Sequence, residues 1–298
     1  MNSTEPLNMD QVTGNMIELE QLFPELDFSF YREKVGQAVR SKVNISDDQI
    51  SQLLVLSAVE NISMEEPQWT YVAASILLKQ LYKKAACSRQ YEASIRYGSF
   101  YQLVQSLTDI GIYSDRILQE YSREELEELG QIIEPERDSL FTYIGLLTLA
   151  DRYLARSHNG DLFELPQERF LIIAITLMME EPKETRIELI KEAYWALSNL
   201  YMTVATPTLA NAGKSYGQLS SCFIETVDDS LRGIYDSNTD IATLSKNGGG
   251  IGAYLGKLRS RGSDIKGFKG VSSGVIPWMK QLNNTAVSVD QLGQRQGE

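Results

Sequence analysis

Cysteine and histidine are nearly absent from this 298-residue chain, which has two cysteines, Cys87 and Cys222, and one histidine, His158. Two cysteines with no Cys-x-x-Cys pair exclude a disulfide framework and a structural zinc site, and they fit a reducing, cytoplasmic compartment. A single histidine excludes a His-based metal centre or catalytic triad, and His158, between Ser157 and Asn159, reads as an exposed loop residue. Basic charge is also scarce. Lys+Arg total 28 against Asp+Glu 40, a net charge of −12, which argues against a general nucleic-acid or anionic-membrane surface and confines phosphate binding to local patches. No run approaches the roughly 18 apolar residues a membrane span requires. The segment 1–10 lacks the basic and apolar regions of a signal peptide. Repeats, low-complexity tracts and Pro/Ser-rich linkers are missing too.

What is present is helical pattern. The chain is 43% hydrophobic and 23% charged, enough for a substantial core in two domains or in one with a large appendage. Residues 1–44 read as a short, partly helical arm. Ser46 with Gln49, and Ser122 with Glu125, have capping-box spacing, and Gly130 can end the second segment by adopting a left-handed conformation. Apolar stripes run from Trp69 to Leu81, from Tyr91 to Leu107 and from Leu140 to Leu154. The segment from Gln167 to Met179, opened by Pro166, is apolar almost all round and predicts a buried central helix. A further helix is expected over 183–201, presenting Trp195 among its apolar residues.

After Tyr201 the texture changes to short apolar pieces, turns and glycines. Strands are expected at 203–205, 221–224 and 251–255. A helix is expected over 229–246, and a second, capped by Ser272 or Ser273, carries Ile276, Met279, Leu282, Ala286 and Val289.

Few residues in this region could carry chemistry. Cys222 taken alone has the ordinary reading of a small buried hydrophobe, but Ser220 and Ser221 set hydroxyls beside it, and a thiol that donates electrons needs access and a stabilised thiolate. Cys87, at the end of an apolar helix, keeps the buried reading. The run Gly248-Gly249-Gly250 meets a loose G-x-G-x-x-A pattern with Ala253, yet a helix precedes it and a strand follows, the reverse of a dinucleotide fold. Gly213-Lys214-Ser215 fails as a P-loop because Thr208 stands where the first glycine is required. Consecutive glycines still offer close backbone approach and unpaired N–H groups to phosphate or ribose. Arg259, Arg261, Lys266 and Lys269, spaced by glycines, form either a solvated loop or a triphosphate clamp, with Asp229 placed to meet a sugar hydroxyl.

The runs Ala-Thr-Pro-Thr-Leu-Ala-Asn-Ala-Gly (205–213), Gly-Gln-Leu-Ser-Ser-Cys-Phe (217–223), Asp-Asp-Ser-Leu (228–231), Leu-Ser-Lys-Asn-Gly-Gly-Gly-Ile-Gly (244–252), Arg-Ser-Arg-Gly-Ser (259–263) and Asp-Gln-Leu-Gly-Gln-Arg-Gln-Gly (290–297) share a family resemblance. Together they resemble the large (alpha) subunit of aerobic class I ribonucleoside-diphosphate reductase, over about residues 45–297. That resemblance implies a mainly α N-terminal domain followed by the first part of an α/β ten-stranded barrel. The divisions are an arm over 1–44 without a complete ATP cone, an all-helical domain over 45–202 and the start of the barrel over 203–298, where strand edges would stay unpaired.

The resemblance also implies roles. Thr206, Ser221, Cys222 and Gly250 would contact a ribonucleotide substrate, and Cys222 would be one half of the redox dithiol, its partner lying beyond residue 298. Asp229, Leu231, Arg259 and Lys266 would bind an effector, ATP or a deoxynucleoside triphosphate, at a homodimer interface. Arg295 would lie on the loop that relays effector identity. The implied partners are a metal-containing, radical-generating small subunit, the missing C-terminal half of the large subunit and a thioredoxin- or glutaredoxin-type reductant, with no metal in this chain and no nucleic acid or membrane. The chain is expected to be an N-terminal portion from a split, interrupted or truncated gene, inactive alone. Two alternatives stay open: a non-catalytic fragment that binds effector and dimerises, or part of a cobalamin-dependent reductase.

Overall fold

The computed structural model describes residues 7–40 and 46–289. Contacts divide the chain into two compact units, Met1–Met202 and Thr203–Glu298.

In the first unit, α1 (Leu7–Leu22), α2 (Ser29–Arg40), α3 (Asp47–Val59) and α4 (Trp69–Arg89) share one core. The segment read as an arm is built into that core. Phe28 and Tyr31 pack on Trp69 with ring centroids 4.9 and 5.2 Å away, and the Tyr31 hydroxyl donates to the Leu54 carbonyl at 3.0 Å. Aromatic pairs of this kind add about 0.5–1.5 kcal/mol each beyond their buried area. The capping box starts α3: Ser46 accepts from the Gln49 amide at 3.3 Å, and Gln49 returns a bond to the Ser46 amide at 3.0 Å.

The unit continues through α5 (Phe100–Asp109), α6 (Arg116–Glu120), α7 (Arg123–Gly130), α8 (Tyr143–Arg152), α9 (Pro166–Leu177) and α10 (Lys183–Ser198). Ser122 and Glu125 cap α7 reciprocally. Gly130 ends α7 for a different reason from the one its sequence suggests: its φ is not positive, and an added Cβ would stand 2.7 Å from the Phe100 side chain. Three other expectations change. The helix expected from Tyr91 begins only at Phe100, where Ser99 caps it. The helix expected from Leu140 begins at Tyr143 behind the Thr142 cap. Trp195 is half-exposed and lies against Tyr201 at 5.1 Å rather than in the core.

Helix α9 is the buried centre, covered from Pro166 to Ile175, and it buries Gln167, Glu168 and Arg169 along with its apolar residues. Their partners come both from the turn just before the helix and from far along the chain. Asp138 accepts from Tyr82, Tyr97 and Gln167 at 2.5, 2.6 and 2.7 Å. Glu164 accepts from Tyr113, from the Ala155 amide at 2.7 Å and from Arg169 at 3.4 Å. Glu168 accepts from Arg89 at 2.7 Å and from the Leu165 amide at 2.9 Å. Burial lifts the Glu168 carboxyl to about 7, against the opposing pull of Arg89 and the Leu165 amide. Burial likewise raises the Asp138 carboxyl despite its three donors.

The second unit opens with α11 (Thr206–Asn211), where Pro207 sits in the first turn; no strand forms at 203–205, and the chain enters this helix instead. A βαβ unit follows: β1 (Cys222–Thr226), α12 (Leu231–Lys246) and β2 (Gly250–Tyr254). The strands pair in parallel, Cys222 opposite Gly250 and Thr226 opposite Tyr254. Among the described residues the sheet has these two strands only, so each keeps an unpaired edge. Ser230 caps α12 by accepting from the Gly233 amide at 3.0 Å. Ile234 and Ile241 turn inward onto Val227 and onto Leu282 of α13 (Ile276–Val289). Ser272 accepts from the Gly274 amide rather than capping α13, and Ile276 and Met279 are exposed. Among the described residues no helix is long and apolar enough to cross a membrane.

Candidate functional site

The segment leading to Cys222 is fixed by α11. Thr208 Oγ1 donates to the Leu219 carbonyl at 2.8 Å and Asn211 Nδ2 to the Gln218 carbonyl at 2.9 Å. Gly217 makes this approach possible: its φ is +98°, and a Cβ there would stand 2.7 Å from the Asn211 side chain. From this anchor the chain runs into β1, and Ser221 accepts at its carbonyl from the Gly250 amide at 2.9 Å. The Ser221 hydroxyl donates to Cys222 Sγ at 3.4 Å.

Strand alternation then sets the exposure of the thiol. Cys222, Ile224 and Thr226 share the open face of the sheet, whereas Phe223 and Glu225 are half-buried, and Glu225 accepts from Ser237 of α12 at 2.8 Å. Because Gly250 is the residue opposite Cys222, its partner strand presents no side chain beside the thiol. Ser221, Cys222 and Gly250 thus stand together, and Thr206 is the first residue of α11, the short helix whose Thr208 and Asn211 hold the segment. Cys87, read as a buried hydrophobe, is exposed on α4.

The triple glycine plays a steric part rather than the amide-donating part expected of it. The Gly248, Gly249 and Gly250 amides all donate internally, to Ser245, Leu244 and Ser221 carbonyls at 2.9, 3.1 and 2.9 Å. Gly248 needs its positive φ of 78°. A Cβ on Gly249 would meet the Leu244 carbonyl and the Phe223 ring at 2.9 Å each. These glycines therefore let α12 return tightly into β2 and hold Gly250 beside Cys222.

The residues at the other end of the βαβ unit form a second cluster. Asp229 lies just before the cap of α12, and Arg259 Nε donates to its carboxylate at 2.8 Å. Arg259 Nη2 reaches the Asp229 carbonyl at 3.4 Å and Nη1 the Asp264 carbonyl at 3.1 Å. Beside this pair, Lys257 meets Asp228 at 3.0 Å. Leu231, the first residue of α12, is exposed. Lys266 and Gly267 have φ of +48° and +85° at the tip of a hairpin closed by Ile265 and Phe268, the signs a type I′ turn requires. Arg261 makes no ion pair among the described residues and, with Arg259, Ser272, Gly274 and Met279, lines an open groove. Arg295 lies outside the described residues. Sequence reading missed the Asp229–Arg259 and Asp228–Lys257 pairs; the signal available was two adjacent acids followed about thirty residues later by two cations with the same spacing sense.

Known proteins match both units. A family model described as "Ribonucleotide reductase, all-alpha domain" matches residues 139–217, and one described as "Ribonucleotide reductase, barrel domain" matches residues 220–298. The ribonucleoside-diphosphate reductase subunit alpha of Treponema pallidum is 42% identical over 287 residues, covering 96% of this chain and 33% of the relative. The subunit of the same name from Helicobacter pylori is 39% identical over 265 residues, covering 89% of this chain and 32% of the relative. The ribonucleoside-diphosphate reductase large subunit of Trypanosoma brucei brucei is 43% identical over 170 residues, covering 55% of this chain and 20% of the relative. The chain spans about a third of the length of the first two relatives.

Proposed function

This chain belongs to the ribonucleotide reductase large-subunit family as its N-terminal part, and from that membership we propose that, once completed, it reduces ribonucleoside diphosphates to deoxyribonucleotides through Cys222. The observation that carries this reading is the exposed thiol at the start of β1, with a hydroxyl donor beside it and a glycine opposite it. Cys222 and a second cysteine contributed by the rest of the subunit form the dithiol. Two electrons and two protons leave it: the ribose 2′ C–O bond breaks, the oxygen departs as water, a C–H bond forms and the two sulfurs join as a disulfide.

Thr206 and Ser221 supply hydroxyls to orient the substrate, and Gly250 leaves room for the ribose. A metal-containing small subunit supplies the radical that activates the sugar, and a thioredoxin- or glutaredoxin-type reductant restores the dithiol. Asp229, Leu231, Arg259 and Lys266 form an effector site for ATP or deoxynucleoside triphosphates, with Arg295 on the relay loop. Dimerisation through α12 and α13 would complete that site. The exposed apolar residues Leu231, Ile276 and Met279 support such a contact. A cytoplasmic location goes with this reductive chemistry.

The test is reconstitution. The chain is joined to the remainder of the Treponema pallidum subunit alpha, mixed with the matching small subunit and reductant, and assayed for a deoxynucleotide from a ribonucleoside diphosphate. Product from the native chain and none from Cys222→Ser is expected. Equal product from both, or none from the native chain, rejects the reading. A second reading, effector binding without chemistry, is favoured by the open groove beside Arg259, lined by Arg261, Ser272, Gly274 and Met279. Calorimetry of the 298-residue chain with dTTP tests it directly; heat of binding supports it and no heat removes it.

A further inference from the structure

The two side chains that hold the lead-in to the thiol have no part in the chemistry proposed above. Thr208 and Asn211 lie on α11 and donate to consecutive carbonyls, Leu219 at 2.8 Å and Gln218 at 2.9 Å. Among the described residues no backbone amide donates to either carbonyl, so these side chains do for the lead-in what the strand ladder does for β1. Two residues on, the Ser221 carbonyl takes the Gly250 amide at 2.9 Å and the ladder begins. Ser221 is therefore held from both directions along the chain, and its hydroxyl donates to Cys222 Sγ at 3.4 Å. The fit at Asn211 is close: Gly217, with φ of +98°, brings the chain past it, and a Cβ there would stand 2.7 Å from the Asn211 side chain. Gln218 Nε2 donates in turn to the Asn247 carbonyl at 3.4 Å, where α12 ends.

We infer that Thr208 and Asn211 are positioning residues for Cys222: by fixing the Leu219 and Gln218 carbonyls they hold the Ser221 hydroxyl against the sulfur. The inference rests on the reading of Cys222 as the redox thiol. A hydroxyl that donates to sulfur favours the thiolate over the thiol, and the thiolate is the reactive form. Cys222 is already exposed, so access does not limit its reaction. What the two bonds supply is order. A loose lead-in would leave the Ser221 hydroxyl to water, and recruiting it to the sulfur would cost the conformational entropy that α11 has already removed.

The test is alkylation of the 298-residue chain by iodoacetamide near neutral pH, with Cys222 and Cys87 followed separately by mass spectrometry. Thr208→Val and Asn211→Ala are each expected to slow Cys222 by about threefold, the scale of one modest hydrogen bond, and to leave Cys87 unchanged. Thr208→Ser keeps the hydroxyl and is expected to restore the native rate. Ser221→Ala is expected to slow Cys222 equally and to mask both: adding either substitution to it gives no further slowing, because all three act through one hydroxyl. Hydrogen exchange across α12 shows whether the unit has stayed folded. A native rate in either folded variant, additive slowing in the double variants, or slowing only where α12 loses protection overturns the inference. None of these readouts uses turnover. Product from Cys222→Ser in the reconstituted subunit would instead remove the redox reading and leave the alkylation result as a property of the thiol segment alone.

Discussion

Two arginine–carboxylate pairs in this chain have nearly the same nitrogen–oxygen distance and opposite settings. Arg89 meets Glu168 at 2.7 Å in the helical unit, with side-chain exposures of 4% and 0%; Arg259 meets Asp229 at 2.8 Å in the second unit, with exposures of 35% and 34%. A buried pair cannot be exchanged, because removing one partner strands the other charge away from water. A half-exposed pair costs little to open and is available to a ligand. Burial thus divides the two pairs into one sealed between helices and one that solvent and solutes can reach. Arg89 ties α4 to three segments at once through Glu168 and the Phe163 and Ser99 carbonyls.

The sharpest way to break this comparison is Arg89→Met, which strands the Glu168 carboxyl. Urea denaturation at pH 8 should show a loss of about 3–5 kcal/mol. The loss should shrink on acidification. Glu168 already titrates near 7 in the folded chain against an ordinary 4.5. A folded pKa above the unfolded one gives stability that is complete below about 4.5 and is lost as pH rises through about 7. Removing the cation pushes that window higher, so the variant should approach the native chain near pH 5. A deficit independent of pH would contradict the assignment.

Effects in the second unit should be smaller. Gly249→Ala forces a Cβ against the Leu244 carbonyl and Phe223 ring, and should cost about 1–3 kcal/mol. Thermal melting of the second unit's transition reads this, and an unchanged melt would remove the steric role given to the glycine run. Ser230→Ala deletes the α12 cap and should cost about 1 kcal/mol by the same measurement. Smallest of all, Arg259→Gln should change stability by about 1 kcal/mol or less while weakening dTTP in calorimetry. A stability loss as large as that of Arg89→Met would erase the distinction between the two pairs.

Much of the fold was legible because its signals are local. Both capping boxes, Pro166 at the head of α9 and the strand–helix–strand order around Asp229 can be read within a few residues. What escaped depends on partners distant in sequence. Glu168 lies in a helix whose apolar pattern hides it, and its partner Arg89 arrives from α4, 79 residues earlier. The glycine amides looked free for a ligand because their acceptors, among them the Ser221 carbonyl, are placed only by the parallel pairing of β1 and β2. Thr203 and Val204 carry β-branched side chains, yet a helix with Pro207 in its first turn starts at Thr206. Within the candidate site, the grouping of Ser221 and Cys222 was legible from adjacency. That Gly250 faces the thiol needed the register.

The central claim is that Cys222 gives up electrons to the nucleotide, and a single turnover tests it most directly. The completed large subunit is mixed with small subunit and a ribonucleoside diphosphate without external reductant, quenched, alkylated and mapped by mass spectrometry. The account predicts that Cys222 loses its reactivity toward the alkylating agent in proportion to the deoxynucleotide formed, and regains it on adding reductant. Deoxynucleotide formed while Cys222 remains fully alkylated would contradict it.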